Sequence, residues 1–140
     1  MPNKLDNKWD NSIELLKYRL LRLNFEHILI ELNYDIDYEF STDAEYRIEK
    51  LDNKEINVFL RIEDHFSPEA GFSCVFEYSV VMMMKRKIPE KSMKSALEAI
   101  LEPVFKNHSF MLAQITASTF RDPMYNPPNV DSLKAMEKDN

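Results

Sequence analysis

Glycine is almost absent from this sequence, because its 140 residues include only Gly71. Walker loops and dinucleotide-binding fingerprints need several glycines, since the backbone must approach a phosphate closely. The sequence therefore cannot build either motif in its usual form. We expect the protein to bind no nucleotide and no other cofactor.

Cysteine is equally scarce, with Cys74 alone. A single cysteine excludes an intrachain disulfide. Cys74 stands in the apolar run F-S-C-V-F, which favours a small buried side chain. A catalytic thiol would need a base and electropositive surroundings, and the sequence shows neither.

Long apolar runs are missing as well. No stretch approaches the roughly 18 apolar residues of a transmembrane helix. The N-terminal residues contain no apolar core of signal-peptide length. We therefore expect a cytoplasmic protein without membrane insertion.

Positive charge is in the minority, since 18 lysines and arginines stand against 24 aspartates and glutamates, and the net charge is −6. Nucleic-acid binding needs a concentrated basic patch, so this balance argues against such a partner. The one basic cluster is Lys85-Arg86-Lys87, followed by Lys91 and Lys94. It is typical of a solvated strand end and helix start, and a phosphate or acidic-partner site is the alternative.

The three histidines, His27, His65 and His108, are far apart in the sequence. A metal site at Glu63-Asp64-His65 is conceivable, but on a strand Asp64 points away from its two neighbours, and no second ligand pair has metal spacing. We interpret that triplet as a solvated strand end. His108 lies on an apolar helical stripe and is interpreted as a partly buried histidine with a satisfied ring. We expect no metal and no catalytic residue.

The residues that are present suit one folded domain. A length of 140 residues and a hydrophobic content of 44% allow a single core. Residues 1–12 are expected to be disordered or loosely ordered, and residues 136–140 to form a flexible tail. Residues 13–135 then form the domain.

Apolar and polar residues alternate through much of the chain, which predicts β-strands. The alternation changes phase once, near residues 26–27, as it does at a β-bulge in a first strand. Further strands are predicted over residues 34–48, 56–62 and 72–85, the last of them central because it is rich in β-branched and aromatic residues. Turns are predicted at residues 51–55 and 67–71. Residues 10–20 fit a helix or a strand.

After residue 92 the apolar spacing changes from two to about 3.6, which indicates helices. Pro103 is disfavoured inside a helix and favoured in a first turn. We therefore predict a short helix before Pro103 and a longer one over residues 104–118. Strands followed by helices indicate an α+β fold with an antiparallel sheet and helices on one face.

Two further segments need an explanation. The triplet Met82-Met83-Met84 is interpreted as core filling at a strand end, or as part of an adaptable binding surface. On a strand, Met82 and Met84 face opposite to Met83. The segment T-F-R-D-P-M-Y-N-P-P-N-V-D-S-L, residues 119–133, is predicted to be a proline-rich extended loop, because proline fixes φ and removes a donor.

From residue 72 to residue 133 the sequence resembles the SecB family of export chaperones and their SecB-like relatives. The last segment carries the motif, since five of its residues match the phenylalanine element and the Pro-Val-Asn-Phe-Asp-Ala-Leu-like run of that family: Phe120, Pro127, Asn129, Asp131 and Leu133. Over residues 17–135 the resemblance holds as an order of elements.

The resemblance implies a four-stranded antiparallel sheet followed by two helices, and a homotetramer that assembles as a dimer of dimers. It implies a holdase that works without ATP and presents an apolar groove to unfolded or partly folded polypeptides. Its purpose would be protein export or service to a dedicated client such as an antitoxin. The expected groove residues are Phe120, Met124, Tyr125, Met82, Met83 and Met84.

The sequence departs from the family in two respects. The glycines that are usual near the helix–loop junction are absent. Val75 stands near the place where an acid is expected for docking on the SecA translocation motor, with Glu77 two residues on, so that partnership stays open. Two other function classes remain: an interaction protein of the same fold with one specific protein partner, and a small α+β enzyme, which would need a pocket with convergent polar groups.

Overall fold

The structure is a computed structural model that describes residues 13–27, 35–52, 54–120 and 133–136. Its elements in chain order are the strands β1 (Ile13–His27), β2 (Glu39–Leu51), β3 (Glu55–Ser67) and β4 (Phe72–Met84), the helices α1 (Met93–Ile100) and α2 (Glu102–Phe120), and the short strand β5 (Leu133–Ala135). A 3-10 turn, Glu90–Ser92, precedes α1. No helix among the described residues is long and apolar enough to cross a membrane.

The strands form one sheet in the order β1-β4-β3-β2-β5. The four long strands pair antiparallel, as predicted, and β4 lies between β1 and β3. The fifth strand was not predicted. It pairs parallel to β2, with Leu133 opposite Ala44, so the sheet is mixed. The α+β class is confirmed, and the sheet extends beyond the expected four strands.

Side chains alternate strictly between the two faces of the sheet on β3 and β4. One face packs against α1 and α2 and forms the core; we call it the helix-covered face. It holds the largest buried side chains of the sheet, among them Tyr78, Phe76, Ile56, Leu60, Ile62, Met82 and Met84. The opposite face carries partly exposed residues, and we call it the open face.

β1 is a strand from its first described residue, which decides the question that the sequence left open for residues 13–20. The pairing of β1 with β4 shifts register at two points, Glu14 and Leu21; at the second, Leu20 pairs with Tyr78 and Arg22 with the next residue, Glu77. The predicted position of the bulge, near residues 26–27, is wrong. Residues 28–32, which belonged to the same predicted strand, lie outside the described residues.

Residues 35–38 form a turn and an irregular stretch, and β2 starts only at Glu39, later than predicted. The predicted turns at residues 51–55 and 67–71 are confirmed as the connections between β2 and β3 and between β3 and β4. Gly71 has φ 69°, a left-handed conformation that favours the single glycine of the chain. The expected looseness of residues 1–12 and 136–140 stays a prediction.

The two helices are separated only at Leu101. The backbone hydrogen bonds from Leu101 N to Leu97 O and from Phe105 N to Leu101 O continue across that point. The longer helix begins at Glu102 and not after Pro103, which occupies its first turn. Proline is tolerated there because the first N–H groups of a helix lack intrahelical acceptors.

Candidate functional site

The predicted groove residues lie in different parts of the molecule. Met82 and Met84 are 0% and 1% exposed and belong to the core, as the core-filling interpretation expects. Met83 points to the open face and is partly exposed. Phe120 ends α2, and its side chain is outside the described part of the chain. Met124 and Tyr125 also lie outside the described residues.

A group of exposed apolar side chains lies on β1, which the sequence did not single out. Its exposed leucines are between 41% and 47% accessible: Leu15, Leu20, Leu21 and Leu23. In the described part of the chain β1 pairs with β4 only, so its other edge keeps unpaired backbone donors and acceptors. A long apolar edge strand is a surface on which another chain can add a strand.

A groove of about 580 Å³ runs beside this edge strand. The groove is lined by Leu16, Lys17, Tyr18, Arg19, Ser79 and Val81. Lys17 and Arg19 are exposed and sit opposite Val81 and Ser79 in the pairing of β1 with β4. The groove therefore combines an apolar wall with two cations.

A polar cluster is buried between the sheet and α2. Its centre is the Asp64 carboxylate on β3, which is 0% exposed. Asp64 Oδ1 accepts a hydrogen bond from Thr42 Oγ1 at 2.6 Å. Asp64 Oδ2 lies 2.7 Å from His108 Nε2 and 3.7 Å from Cys74 Sγ. The interpretation of Asp64 as part of a solvated strand end is therefore wrong.

His108 connects the cluster to a second sheet residue. Its Nδ1 lies 3.0 Å from the Tyr78 hydroxyl, and its ring meets Phe76 edge to face at a centroid distance of 4.3 Å. Every polar hydrogen has an acceptor if the Tyr78 O–H donates to Nδ1 while the Nε2–H donates to Asp64. The expectation of a satisfied histidine is confirmed, and the ring is fully buried rather than partly.

Burial keeps the Tyr78 hydroxyl and the Cys74 thiol protonated. It raises the pKa of the Tyr78 hydroxyl, and the nearby Asp64 carboxylate adds to the shift. Burial, followed by the charge of Asp64, likewise raises the pKa of the Cys74 thiol. A thiol with a raised pKa is a poor nucleophile, so Cys74 behaves as the small buried side chain that was predicted.

The alternation on β3 is a sequence signal for this cluster. Asp64 is in phase with Ile62 and Phe66, buried apolar residues of β3, and out of phase with the partly exposed Glu63 and His65. A carboxylate in phase with the core needs partners, since a buried unpaired charge is costly. The second half of the signal is His108 on the apolar stripe of α2.

His65 makes a separate and more exposed pair. Its Nε2 lies 2.8 Å from Asp43 Oδ2, and the hydrogen bond to that carboxylate raises the pKa of His65. Among the residues that the structure describes, no group of three or more histidine, cysteine or acidic side chains could hold a metal ion. The cluster and the exposed pair are therefore both explained by hydrogen bonding within the chain.

Comparison with known proteins finds a similar fold but no matching family model or curated sequence. No family model matches the sequence, and no curated protein matches it either. Among solved structures, the Mycobacterium tuberculosis SecB-like chaperone Rv1957, in complex with a ChAD peptide from the Rv1956 HigA1 antitoxin, matches with a TM-score of 0.64 at 11% identity, over 88% of this chain and 95% of that one. This chain has the SecB-like fold.

The two chains share a fold at a sequence identity too low to transfer a function. A protein of unknown function from Streptococcus agalactiae matches with a TM-score of 0.51 at 11% identity, over 82% of this chain and 98% of that one. The resemblance that rested on the C-terminal segment is confirmed for the fold as a whole.

Proposed function

We propose that this protein is a chaperone that holds unfolded or partly folded polypeptides without ATP. The observation that carries the proposal is the SecB-like fold, which is shared with a chaperone that was solved with a peptide bound. The exposed leucines of β1 are consistent with it, because apolar surface of this kind is buried by another chain, either a second copy or a client. Its place of action would be the cytoplasm, in protein export or in the service of one client.

The client site in this proposal combines the end of α2 with the segment that follows it. Phe120, Met124 and Tyr125 supply aromatic and thioether contacts to the client. Met82 and Met84 are buried in the core and Met83 lies on the open face, so the proposed site does not include these three methionines. Burial contributes about 25 cal/mol per Å² of apolar surface, so many weak contacts along an extended client add up.

Self-assembly belongs to the same proposal. A strand of 15 residues with exposed leucines and an unpaired edge would aggregate unless another chain covers it. Pairing of β1 with β1 of a second copy would continue the sheet and cover both edges. A dimer of dimers is then the assembly expected from the SecB-like fold.

The buried cluster argues for binding rather than catalysis. The side chains of Asp64 and His108 are 0% and 3% exposed, so this pair cannot meet a substrate in the folded state. We do not extend the proposal to docking on a translocation motor. Val75 replaces the expected acid, and Glu77 is engaged by Arg22 at 3.6 Å.

The experiment that tests the proposal is light scattering on a sizing column, with and without a permanently unfolded client. We expect an oligomer that takes up the client. The double variant Phe120→Ser with Tyr125→Ser should bind the client about tenfold more weakly, as the loss of one or two aromatic contacts predicts. Phe59→Ser, a change of the same kind on the open face, should leave client binding intact.

Retained affinity in a folded Phe120→Ser, Tyr125→Ser variant would contradict the client site. A monomer that ignores unfolded chains would contradict the chaperone proposal as a whole.

A second candidate is an interaction protein that serves one specific partner. It is favoured by the neighbour of known structure, whose bound peptide comes from a single antitoxin. General holding activity distinguishes the two candidates. A dedicated protein would capture one partner from a mixture of unfolded chains and leave the others in solution.

A further inference from the structure

The open face of the sheet is divided by charge along the strand direction, which the sequence alone does not show. The end near the β2–β3 turn carries four cations, Lys17, Arg19, Arg47 and Lys50, in adjacent rows of the strand pairing. We call this end the basic half. The opposite end carries six carboxylates against two arginines, Arg22 and Arg61, and we call it the acidic half; its carboxylates are Glu26, Glu39, Asp43, Glu45, Glu63 and Glu77.

The basic half has a mixed centre with cations on both sides. Its apolar side chains are Val81 and Met83 of β4 and Phe59 of β3, all partly exposed, and the polar Asn57 and Ser79 stand opposite Val81 and Phe59. Lys17 and Arg19 flank it from β1, and Arg47 and Lys50 flank it from β2. Arg47 already covers the Phe59 ring, with Cζ 4.9 Å from the centroid.

Internal pairing leaves the cations of the basic half unequally neutralised. Lys50 Nζ lies 2.7 Å from a Glu55 carboxylate oxygen, and that hydrogen bond raises the pKa of Lys50. Arg47 lies 3.6 Å from Glu49. Lys17 and Arg19 have no ion pair among the described residues. They line the groove of about 580 Å³ beside Val81.

The hydrogen bonding of the sheet decides what kind of segment this face can accept. β4 and β3 are paired on both sides, so their backbone groups are used within the sheet. An extended segment lying on the face would leave its own N–H and C=O groups without partners from the sheet. An α-helix satisfies those groups internally, and helices are the usual second layer on a sheet face.

The dimensions also fit a helix. The flanking strands β1 and β2 are three strand spacings apart, which is roughly 14 Å, and a helix with its side chains is about 10–12 Å wide. From Leu15 to Arg19 the strand rises about 13 Å, the length of some two to three helical turns. A helix with an apolar stripe towards Val81 would bring its two flanks to the two pairs of cations.

We propose that the basic half of the open face docks an acidic amphipathic helix of a partner protein. The apolar stripe of that helix packs on Phe59, Val81 and Met83. Its acidic flanks meet Lys17 and Arg19 on one side and Arg47 and Lys50 on the other. This surface is separate from the client site at the end of α2, and it stands or falls independently of the chaperone proposal.

The test uses a fluorescein-labelled synthetic helix with a leucine stripe and glutamate flanks, and its anisotropy with the complete protein. We expect saturable binding that weakens as salt is added, because the charges are near the surface. The variant Lys17→Glu with Arg19→Glu should bind about tenfold more weakly, since it reverses one row of cations. The matched variant Arg22→Glu with Arg61→Glu changes the net charge equally in the acidic half and should bind within about twofold of the unaltered protein.

A second measurement needs no variant. Amide NMR shifts of the unaltered protein on addition of the peptide should change most at Arg19, Phe59 and Val81 and least along α2. An excess of unlabelled unfolded client should leave the peptide bound.

Three outcomes would overturn the proposal. An equal loss of peptide affinity in the two charge variants would mean that the net charge of the protein, and not the position of the cations, determines binding. If a peptide with lysine in place of glutamate bound equally well, charge complementarity would not explain the binding. Displacement of the peptide by duplex DNA or by phosphatidylglycerol vesicles would indicate that the surface binds nucleic acid or an anionic membrane instead of a protein helix.

Discussion

The Asp64 carboxylate accepts hydrogen bonds from Thr42 on β2, Cys74 on β4 and His108 on α2. One buried residue of β3 thus connects three other elements. Replacing a buried pair by apolar side chains is often neutral, whereas removing one partner leaves the other without compensation. The cluster therefore fixes where α2 sits on the sheet more than it adds stability.

A double-mutant cycle on this pair makes that argument testable. Asp64→Leu should lower the free energy of unfolding by about 3–5 kcal/mol, because His108 and Thr42 lose their acceptor in the core. His108→Leu alone should also lower the free energy of unfolding. The double variant should lose less stability than the sum of the losses in the two single variants. Denaturant unfolding of the four proteins gives the coupling energy.

The exposed pair Asp43–His65 is the matched control, since its 2.8 Å contact is similar and its side chains are 69% and 29% exposed. Its coupling should stay below about 1 kcal/mol. A buried coupling no larger than the exposed one would contradict the role assigned to Asp64.

The Asp43–His65 pair also gives a pH dependence whose sign is fixed. The pKa of His65 is raised above its ordinary value of 6.5 by the hydrogen bond to Asp43. The stabilisation is therefore fully present below pH 6.5 and is lost as the pH rises through the folded-state pKa. Because the pair is largely exposed, we expect less than about 1 kcal/mol.

Urea unfolding of the unaltered protein and of Asp43→Asn, at about pH 5.5 and about pH 8.5, measures this contribution. The gap between the two proteins should narrow at the higher pH. Other titrating groups are common to both proteins and cancel in the difference. A gap that widened with pH would show that the ion pair does not account for the raised pKa.

At the scale of elements, the predictions succeeded where alternation was strict and failed where one residue interrupts it. β3 and β4 alternate without a break, and both were predicted. In β1 the bulge residue Leu21 lies between Leu20 and Leu23, which share the helix-covered face although their spacing is odd. Leu21, Leu23 and Phe25 look like one alternating run in the sequence, so the phase change was placed too late.

The longer helix is anchored by a few fully buried side chains, and Leu112 is one of them, at 0% exposure. Leu112→Ala should lower the free energy of unfolding by about 2–5 kcal/mol, because the cavity between α2 and the sheet cannot close completely. Leu51→Ala removes the same atoms from a side chain that is 55% exposed, and it should cost within about 0.5 kcal/mol. Chemical denaturation compares the two. Similar losses for both would mean that α2 is not packed as described.

For the whole molecule, the order of strands and helices could be predicted from the sequence, but the surfaces could not. Alternation says which residues share a face of one strand, while the strand order decides which faces and edges meet solvent. Lys17 and Arg47 are 30 positions apart in the sequence, and only the pairing of β1, β4, β3 and β2 brings them to one side of the sheet. The buried contact between Asp64 and His108 likewise joins residues that are far apart in the sequence, and only the fold brings them together.

Assembly is the property at this scale that the proposed function depends on. If β1 pairs with a second copy, lysines on its exposed edge should prevent that pairing, as they do on natural edge strands. The variant Leu21→Lys with Leu23→Lys should therefore show a lower mass by light scattering than the unaltered protein. Leu51→Lys with Ile36→Lys adds the same charge at side chains that are 55% and 43% exposed, away from β1, and should keep the original mass. An unchanged mass in the β1 variant would mean that copies associate through another surface, and the exposed leucines would then be free to bind client.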